Sequence, residues 1–354
     1  MSRNGSLGVA VVGAGRWGRN LVRNFSACQR AGLRWVCDAD PKVRSALAAQ
    51  HGARPGASID EVLADAEVGA VVLATPAPSH AELAIQALRA GKHVYVEKPM
   101  ALSAADAQAV VDAAGAADRK LMVGHLLEYH PAVDYLRAAV DRGDLGRLYY
   151  AYCHRLNLGV VRQDENAWWS LAPHDISVVC YLFDAEPVSV AAHGQCFLRP
   201  RVEDVVFAVL RFADGRVAHV HVSWLDPHKI RKITLVGTDK MITFDDMEAS
   251  EKIRVYDKGA VVQALDNYAQ AVSLRVGDIL LPKLPAAEPL AVECQHFVDA
   301  VLDDRPIRSD GADGLRVVKV LAAGAESLRQ NGQPVAIDAG RARPDHGRPP
   351  RGAS

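Results

Sequence analysis

The chain has 354 residues, of which 49% are hydrophobic and 23% charged, and its formal net charge is -1. That length predicts two domains rather than one, and that mix is the composition of a folded globular protein. With Lys and Arg spread along the chain and no apolar run near the roughly 20 residues that span a bilayer, neither nucleic acid nor a membrane is an expected partner.

Met1 to Gly5 leads straight into an apolar strand, which leaves no room for a signal peptide. Cys28, Cys37, Cys153, Cys180, Cys196 and Cys294 lie far apart with no Cys-x-x-Cys pair. Reduced core cysteines in a cytoplasmic protein are therefore expected, with no disulfide framework and no metal site.

Val9 to Val12 is a continuous apolar run ending in glycines, the pattern of a parallel strand buried on both faces. Trp17, Leu21, Phe25 and Cys28 then recur on one helical face. Leu33 to Cys37 is the next strand and stops at Asp38. Val68 to Ala74 is another. Ser79 and Glu82 have the capping-box spacing, and Gly91 ends the helix they open. His93 to Val96 and Leu121 to Gly124 complete the series. Such alternation predicts an α/β fold with a doubly wound parallel sheet, here a Rossmann domain over residues 1–125.

Beyond about residue 145 the period changes to two: Val188 to Ala192, Val205 to Phe212, Val217 to Trp224, Ile230 to Val236, Lys240 to Phe244 and Ile253 to Tyr256. Ala213-Asp214-Gly215 is a hairpin turn between two of them. A large, mostly antiparallel open sheet over 126–340 is expected, an α+β domain whose bare face is covered by a homodimer or homotetramer contact. Residues 289–330 are helical again and close back toward the first domain. Residues 341–354, rich in Pro, Gly and Arg, form an expected disordered tail.

The turn Gly13-Ala14-Gly15-Arg16-Trp17-Gly18 follows a buried strand and opens a helix, the context of a dinucleotide site. Gly13 permits the tight turn, Gly15 the approach of a pyrophosphate, and Gly18 the packing of helix on strand. Asp38, 20 residues after Gly18, is placed to accept ribose hydroxyls and to repel a 2′-phosphate. NAD is thus expected over NADP, although Arg16 can contact a phosphate. A glycine turn in an α/β protein without nucleotide is the bland alternative.

Glu97-Lys98-Pro99 follows a strand at the carboxyl edge of the sheet, where ligands bind. A lysine there can lose its charge by desolvation and beside a positive nicotinamide ring, and so act as a base. Alone, Lys98 reads equally as a solvated strand end. Ala74-Thr75-Pro76, Ser79-His80 and the run from Gly91 through Glu97-Lys98-Pro99 together resemble the Gfo/Idh/MocA family of oxidoreductases. Ala172-Pro173-His174-Asp175-Ile176-Ser177 resembles that family's second catalytic segment. The resemblance implies Lys98 as the proton-transfer lysine, His174 with Asp175 beside it as its partner, and Thr75, Pro76, His80 and Glu97 along the cofactor cleft. Many members carry Asp four residues before the histidine, where this chain has Ser170. That shifts the expected base to Lys98, leaves the role of His174 open, and leaves Asp175 or Glu165 to compensate or to serve as cap or surface charge.

The stretch from Arg155 to Asp175 resembles the subgroup that oxidises the 3-hydroxyl of UDP-linked N-acetyl hexosamines or their uronates. Arg155 and Arg162 suit a diphosphate or carboxylate, Asn157 and Asn166 suit sugar hydroxyls, and Trp169 suits stacking on a sugar or base. Core packing explains the Trp168-Trp169 pair equally well. Three readings stay open: an NAD-dependent sugar dehydrogenase or the matching ketoreductase, an NAD-dependent glycoside hydrolase, and a non-catalytic nucleotide-binding regulator. Inositols are alternative substrates of the first.

Overall fold

The computed structural model describes residues 5–159, 161, 165–264 and 270–338. It begins with β1 (Leu7–Val12), buried along its whole length as an apolar run flanked by strands must be. There follow α1 (Gly18–Ala27), β2 (Ala31–Cys37), α2 (Pro41–His51), β3 (Arg54–Gly56), α3 (Ile59–Ala64), β4 (Ala70–Leu73), α4 (His80–Arg89), β5 (His93–Glu97), α5 (Ala104–Ala117) and β6 (Leu121–Gly124). All pairings are parallel, in the order β3-β2-β1-β4-β5-β6. The order reverses between β1 and β4, and that switch point opens a crevice at the carboxyl ends of the strands.

Two local expectations differ from the structure. Leu21 and Phe25 are buried on α1, but Trp17 precedes the helix and is 41% exposed, while Cys28 lies past its end. Ser79 does not cap α4. It sits in a tight helical turn over Ala77–Ser79, and its hydroxyl donates to Thr75 Oγ1 and to the Pro76 carbonyl, both at 2.8 Å.

The second sheet receives α6 (Pro131–Asp141), β7 (Leu148–Leu156), α7 (Ala167–Phe183), β8 (Pro187–Gln195), β9 (Val205–Phe212), β10 (Val217–Ser223), β11 (Ile230–Gly237), β12 (Met241–Asp245), β13 (Ile253–Ala264) and β14 (Gln270–Leu280). The chain closes with α8 (Pro289–Leu302), α9 (Gly311–Arg329) and β15 (Val335–Ala336). The nine strands run β14-β13-β12-β11-β7-β10-β9-β8-β15, antiparallel except for β7 beside β10. Gly215, at φ 86°, makes the hairpin between β9 and β10.

One face of this sheet is covered by α7 and α9, with Trp168 buried between them and its indole N–H on the Leu321 carbonyl at 2.9 Å. The helical stretch after 289 is two helices. On α8, Phe297 stacks edge-on against Phe25 and Tyr95, joining it to the first sheet, and α9 packs on both α5 and α7. The opposite face carries Tyr150, Tyr152, His154, Phe207, His219 and His221 in a contiguous aromatic band. The proposed tail at 341–354 lies outside the described residues.

Candidate active site

A cleft of about 1010 Å³ runs along the carboxyl ends of β1, β2, β4 and β5 and is closed on its far side by His174 and Arg231 from the second sheet and its covering helix. Gly13, Gly15, Arg16, Trp17, Asp38, Thr75, Pro76, His80, Glu97 and Lys98 all line it.

At the glycine turn the missing side chains decide the geometry. A Cβ on Gly13, at φ 88°, would overlap the Ala74–Thr75 backbone, and one on Gly18 would overlap the Gly13 carbonyl. A Cβ on Gly15 would meet nothing and would instead project into open space. The turn is thus drawn tightly onto β4 by two glycines, while the third leaves room for a ligand above the N-terminus of α1. Asp38 accepts the Ala14 N–H at 2.6 Å and the Asp40 N–H at 2.9 Å, which holds its carboxylate at the cleft edge. These residues fit a dinucleotide.

Trp17 and Glu97 close the floor. The indole N–H of Trp17 donates to Glu97 Oε1 at 2.6 Å, and Glu97 also accepts the Lys98 N–H at 3.3 Å. Burial raises the Glu97 carboxyl above its ordinary range against those bonds and the nearby Lys98 charge. His80 is buried with Nδ1 2.8 Å from the Pro99 carbonyl and Nε2 2.8 Å from the Thr75 carbonyl, so it staples the β4 and β5 ends together.

Lys98 reaches across the cleft to the second unit. Its ammonium donates to the backbone carbonyl of Ser170 at 3.2 Å. Pro173 lies inside α7 and lacks the N–H that would bond the Trp169 carbonyl, one residue before Ser170 in the first turn of that helix. Ser170 meets Lys98 through its backbone, a contact no side-chain reading of that position anticipates. His174 lies on the cleft wall with Nδ1 buried and, among the described residues, unpartnered. Burial, with Lys98, Arg155 and Arg231 nearby, pushes its imidazole well below the usual range, so it is neutral at neutral pH. A lysine amine and a neutral imidazole facing one cavity can together receive a hydroxyl proton and orient the oxygen that loses it.

Four residues expected to act on substrate or in the chemistry have partners inside the chain. Arg155 is buried, and its guanidinium is bidentate to Asp175, Nε to Oδ2 at 2.9 Å and Nη2 to Oδ1 at 2.8 Å. The Arg155 charge is compensated there rather than offered to a diphosphate, and Asp175, 1% exposed, is absent from the cleft wall. Asn166 caps α7 by accepting the Trp169 N–H and donates to Glu203 at 2.6 Å. Trp169 packs against apolar clusters of both units. Asn157, half-buried just past β7, stands beside Gly159 outside the cleft wall. Arg162 lies outside the described residues.

Two residues that sequence reasoning passed over stand at this end. Arg231 lines the cleft from β11. His125, directly after β6, is buried with both ring nitrogens unpartnered among the described residues, and burial beside Lys98 and Arg316 lowers it to about 3. Neither belongs to a local motif.

The family model GFO_IDH_MocA, an oxidoreductase family with an NAD-binding Rossmann fold, matches residues 7–125, and the GFO/IDH/MocA C-terminal domain matches residues 133–243. UDP-N-acetylglucosamine 3-dehydrogenase of Acidithiobacillus ferrooxidans is 29% identical over 87% of this chain and 93% of its own. Its solved structure superimposes with a TM-score of 0.79 at 26% identity, covering 93% of this chain and 99% of that one. Inositol 2-dehydrogenase 1 of Mycolicibacterium vanbaalenii is 30% identical over 94% of this chain and 96% of its own. GenD2 from gentamicin A biosynthesis, solved in complex with NAD, is 28% identical with a TM-score of 0.79 over 94% of this chain and 97% of that one.

Proposed function

The chain belongs to the GFO/IDH/MocA family of NAD-dependent oxidoreductases acting on sugars or polyols, and from that premise we propose that it transfers hydride from the C3 carbinol of a UDP-linked N-acetyl amino sugar or the corresponding uronate. The contact of Lys98 with the opposite cleft wall carries this reading, because it puts a proton acceptor between the glycine-turn wall and the second sheet. When bound, NAD supplies the hydride acceptor. Lys98, as the neutral amine, takes the proton of the reacting hydroxyl and becomes the ammonium, and neutral His174 donates to or accepts from the same oxygen through its second nitrogen. His125, buried near Lys98, adds a second neutral imidazole at this end of the cleft.

The likeness to UDP-N-acetylglucosamine 3-dehydrogenase supports the nucleotide sugar and the third position, while the inositol 2-dehydrogenase relatives make a free polyol the competing substrate. The aromatic band on the open sheet supports a homodimer or homotetramer formed face to face, and the compartment we propose is the cytoplasm.

The deciding experiment mixes purified protein and NAD with UDP-N-acetylglucosamine, UDP-N-acetylglucosaminuronate or myo-inositol, following NADH absorbance and product mass. Stoichiometric NADH with a product two mass units lighter, from either nucleotide sugar, is expected. Turnover of myo-inositol alone would overturn the proposed substrate.

A further inference from the structure

Four charged groups gather where the second unit meets the cleft: Lys98, Arg155, Asp175 and Arg231. Arg155 and Asp175 cancel each other in a buried bidentate pair. Lys98 is held by the Ser170 carbonyl. Arg231 differs from both.

Arg231 stands directly opposite Arg155 in the β11–β7 ladder, so both side chains leave the sheet on the same, helix-covered face. The residues two and four further along β11, Ile233 and Leu235, continue that face into the apolar core. Arg231 is the position at which that face emerges into the cleft, and its side chain is 43% exposed there. Its acidic neighbour among the described residues, Asp246, approaches no nearer than 3.6 Å, beyond hydrogen-bond length. Asp246 is also shared, lying 3.3 Å from Lys252 Nζ and 3.6 Å from His130 Nε2. One carboxylate therefore serves both Arg231 and Lys252, and among the described residues the Arg231 guanidinium makes no hydrogen bond, which leaves its donors open to a cleft that Glu165 also lines.

We infer that Arg231 is the specificity-determining residue of the sugar site, pairing with an anionic group on or directly attached to the sugar ring. The inference rests on the proposed sugar-oxidation reading, which it deepens by assigning the anion to Arg231 rather than Arg155. A guanidinium in a partly closed cleft favours a carboxylate or phosphate by charge-assisted, bidentate hydrogen bonds, and a neutral polyol offers nothing in return for desolvating it. His174 shares the same end of the cavity, and Arg231 is among the charges that hold it neutral. The anion would therefore be recognised in the same cleft as the hydroxyl that His174 is proposed to face. Such recognition selects charged sugars over inositols, the two substrate classes that the relatives divide between them.

The test is steady-state kinetics at saturating NAD for the wild-type enzyme, Arg231→Gln and Arg231→Lys. The substrates are UDP-N-acetylglucosamine, its uronate, free N-acetylglucosamine and myo-inositol. Arg231→Gln should raise KM for a charged substrate by about 10- to 100-fold, the range of a charge-assisted hydrogen bond. The loss should fall on KM more than on kcat, and Arg231→Lys should recover part of the KM. A rise confined to the uronate identifies the carboxylate as the partner, and a rise for both nucleotide sugars identifies the phosphate. If charged sugars turn over but Arg231→Gln leaves their KM unchanged, this inference alone is overturned. If the wild type turns over only the neutral compounds, the nucleotide-sugar reading falls with it.

Discussion

At the glycine-turn end of the cleft, Gly13, Gly15 and Gly18 act by lacking side chains, whereas at the lysine end Lys98, Arg155, His174 and Arg231 act through charges that they carry, cancel or withhold. The first end is set by backbone geometry, so its residues lie close in sequence and keep their places whatever packs elsewhere. The second end is assembled across long separations. Lys98 meets Ser170, 72 positions away, and Arg231 faces Arg155 across a ladder. There, a residue's availability depends on which neighbour reaches it first. The same arginine chemistry is structural in Arg155 because Asp175 binds it bidentately, and open in Arg231 because Asp246 stands 3.6 Å away, beyond hydrogen-bond length, and is shared.

The sharpest way to break this contrast is Lys98→Ala. Removing the amine should lower turnover by about 10²- to 10⁴-fold, as for a lost acid–base group, while NAD titration by fluorescence stays near wild type. Equal losses of NAD affinity and turnover would mean that the two ends are not separable. Near-normal turnover would move the base to His174.

Asp175→Asn tests the other half of the lysine end. It leaves the Arg155 charge buried without its partner and should cost about 3–5 kcal/mol in urea unfolding. Replacing the pair together, Arg155→Met with Asp175→Leu, should recover most of that stability, since an apolar pair needs no compensation. An Asp175→Asn protein of undiminished stability that has nonetheless lost turnover would return Asp175 to the chemistry.

The same contrast explains what was legible in the sequence. Alternating apolar runs and turn glycines located β1, β2, β4, β5 and β6, because strands buried on both faces and φ above zero leave compositional marks. Strand β7 left none. Its core-facing positions include Ala151, Cys153 and Arg155, and an arginine neutralised by a distant aspartate does not look like a core residue. Residues 289–330 are expected to close back toward the first domain, but nothing in their pattern names Phe25 and Tyr95 as the surface on which α8 settles. Asn166, expected at the substrate, is engaged as the cap of α7, a role that Asn directly before an apolar helix also signals. The Lys98–Ser170 contact was hidden for another reason: it uses a carbonyl, which every residue has.

Asp38 belongs to the glycine-turn end yet works through charge, so two substitutions there separate the two modes. Asp38→Ala removes both the acceptor for the Ala14 N–H and the negative charge at the cleft edge. It should raise the KM for NAD about tenfold or more, as expected when a charge-assisted hydrogen bond of about 1.5–3 kcal/mol is lost, and relax discrimination against NADP. Asp38→Asn keeps an oxygen that can accept from Ala14 while discarding the charge. If backbone geometry governs this end, Asn should preserve most of the NAD affinity and lose only part of the preference over NADP. If charge governs it, Asn and Ala should fall together in side-by-side NAD and NADP titrations. Asn is expected to stand closer to wild type, because the 2.6 Å tether from Asp38 to Ala14 holds the turn in which Gly15 leaves its opening.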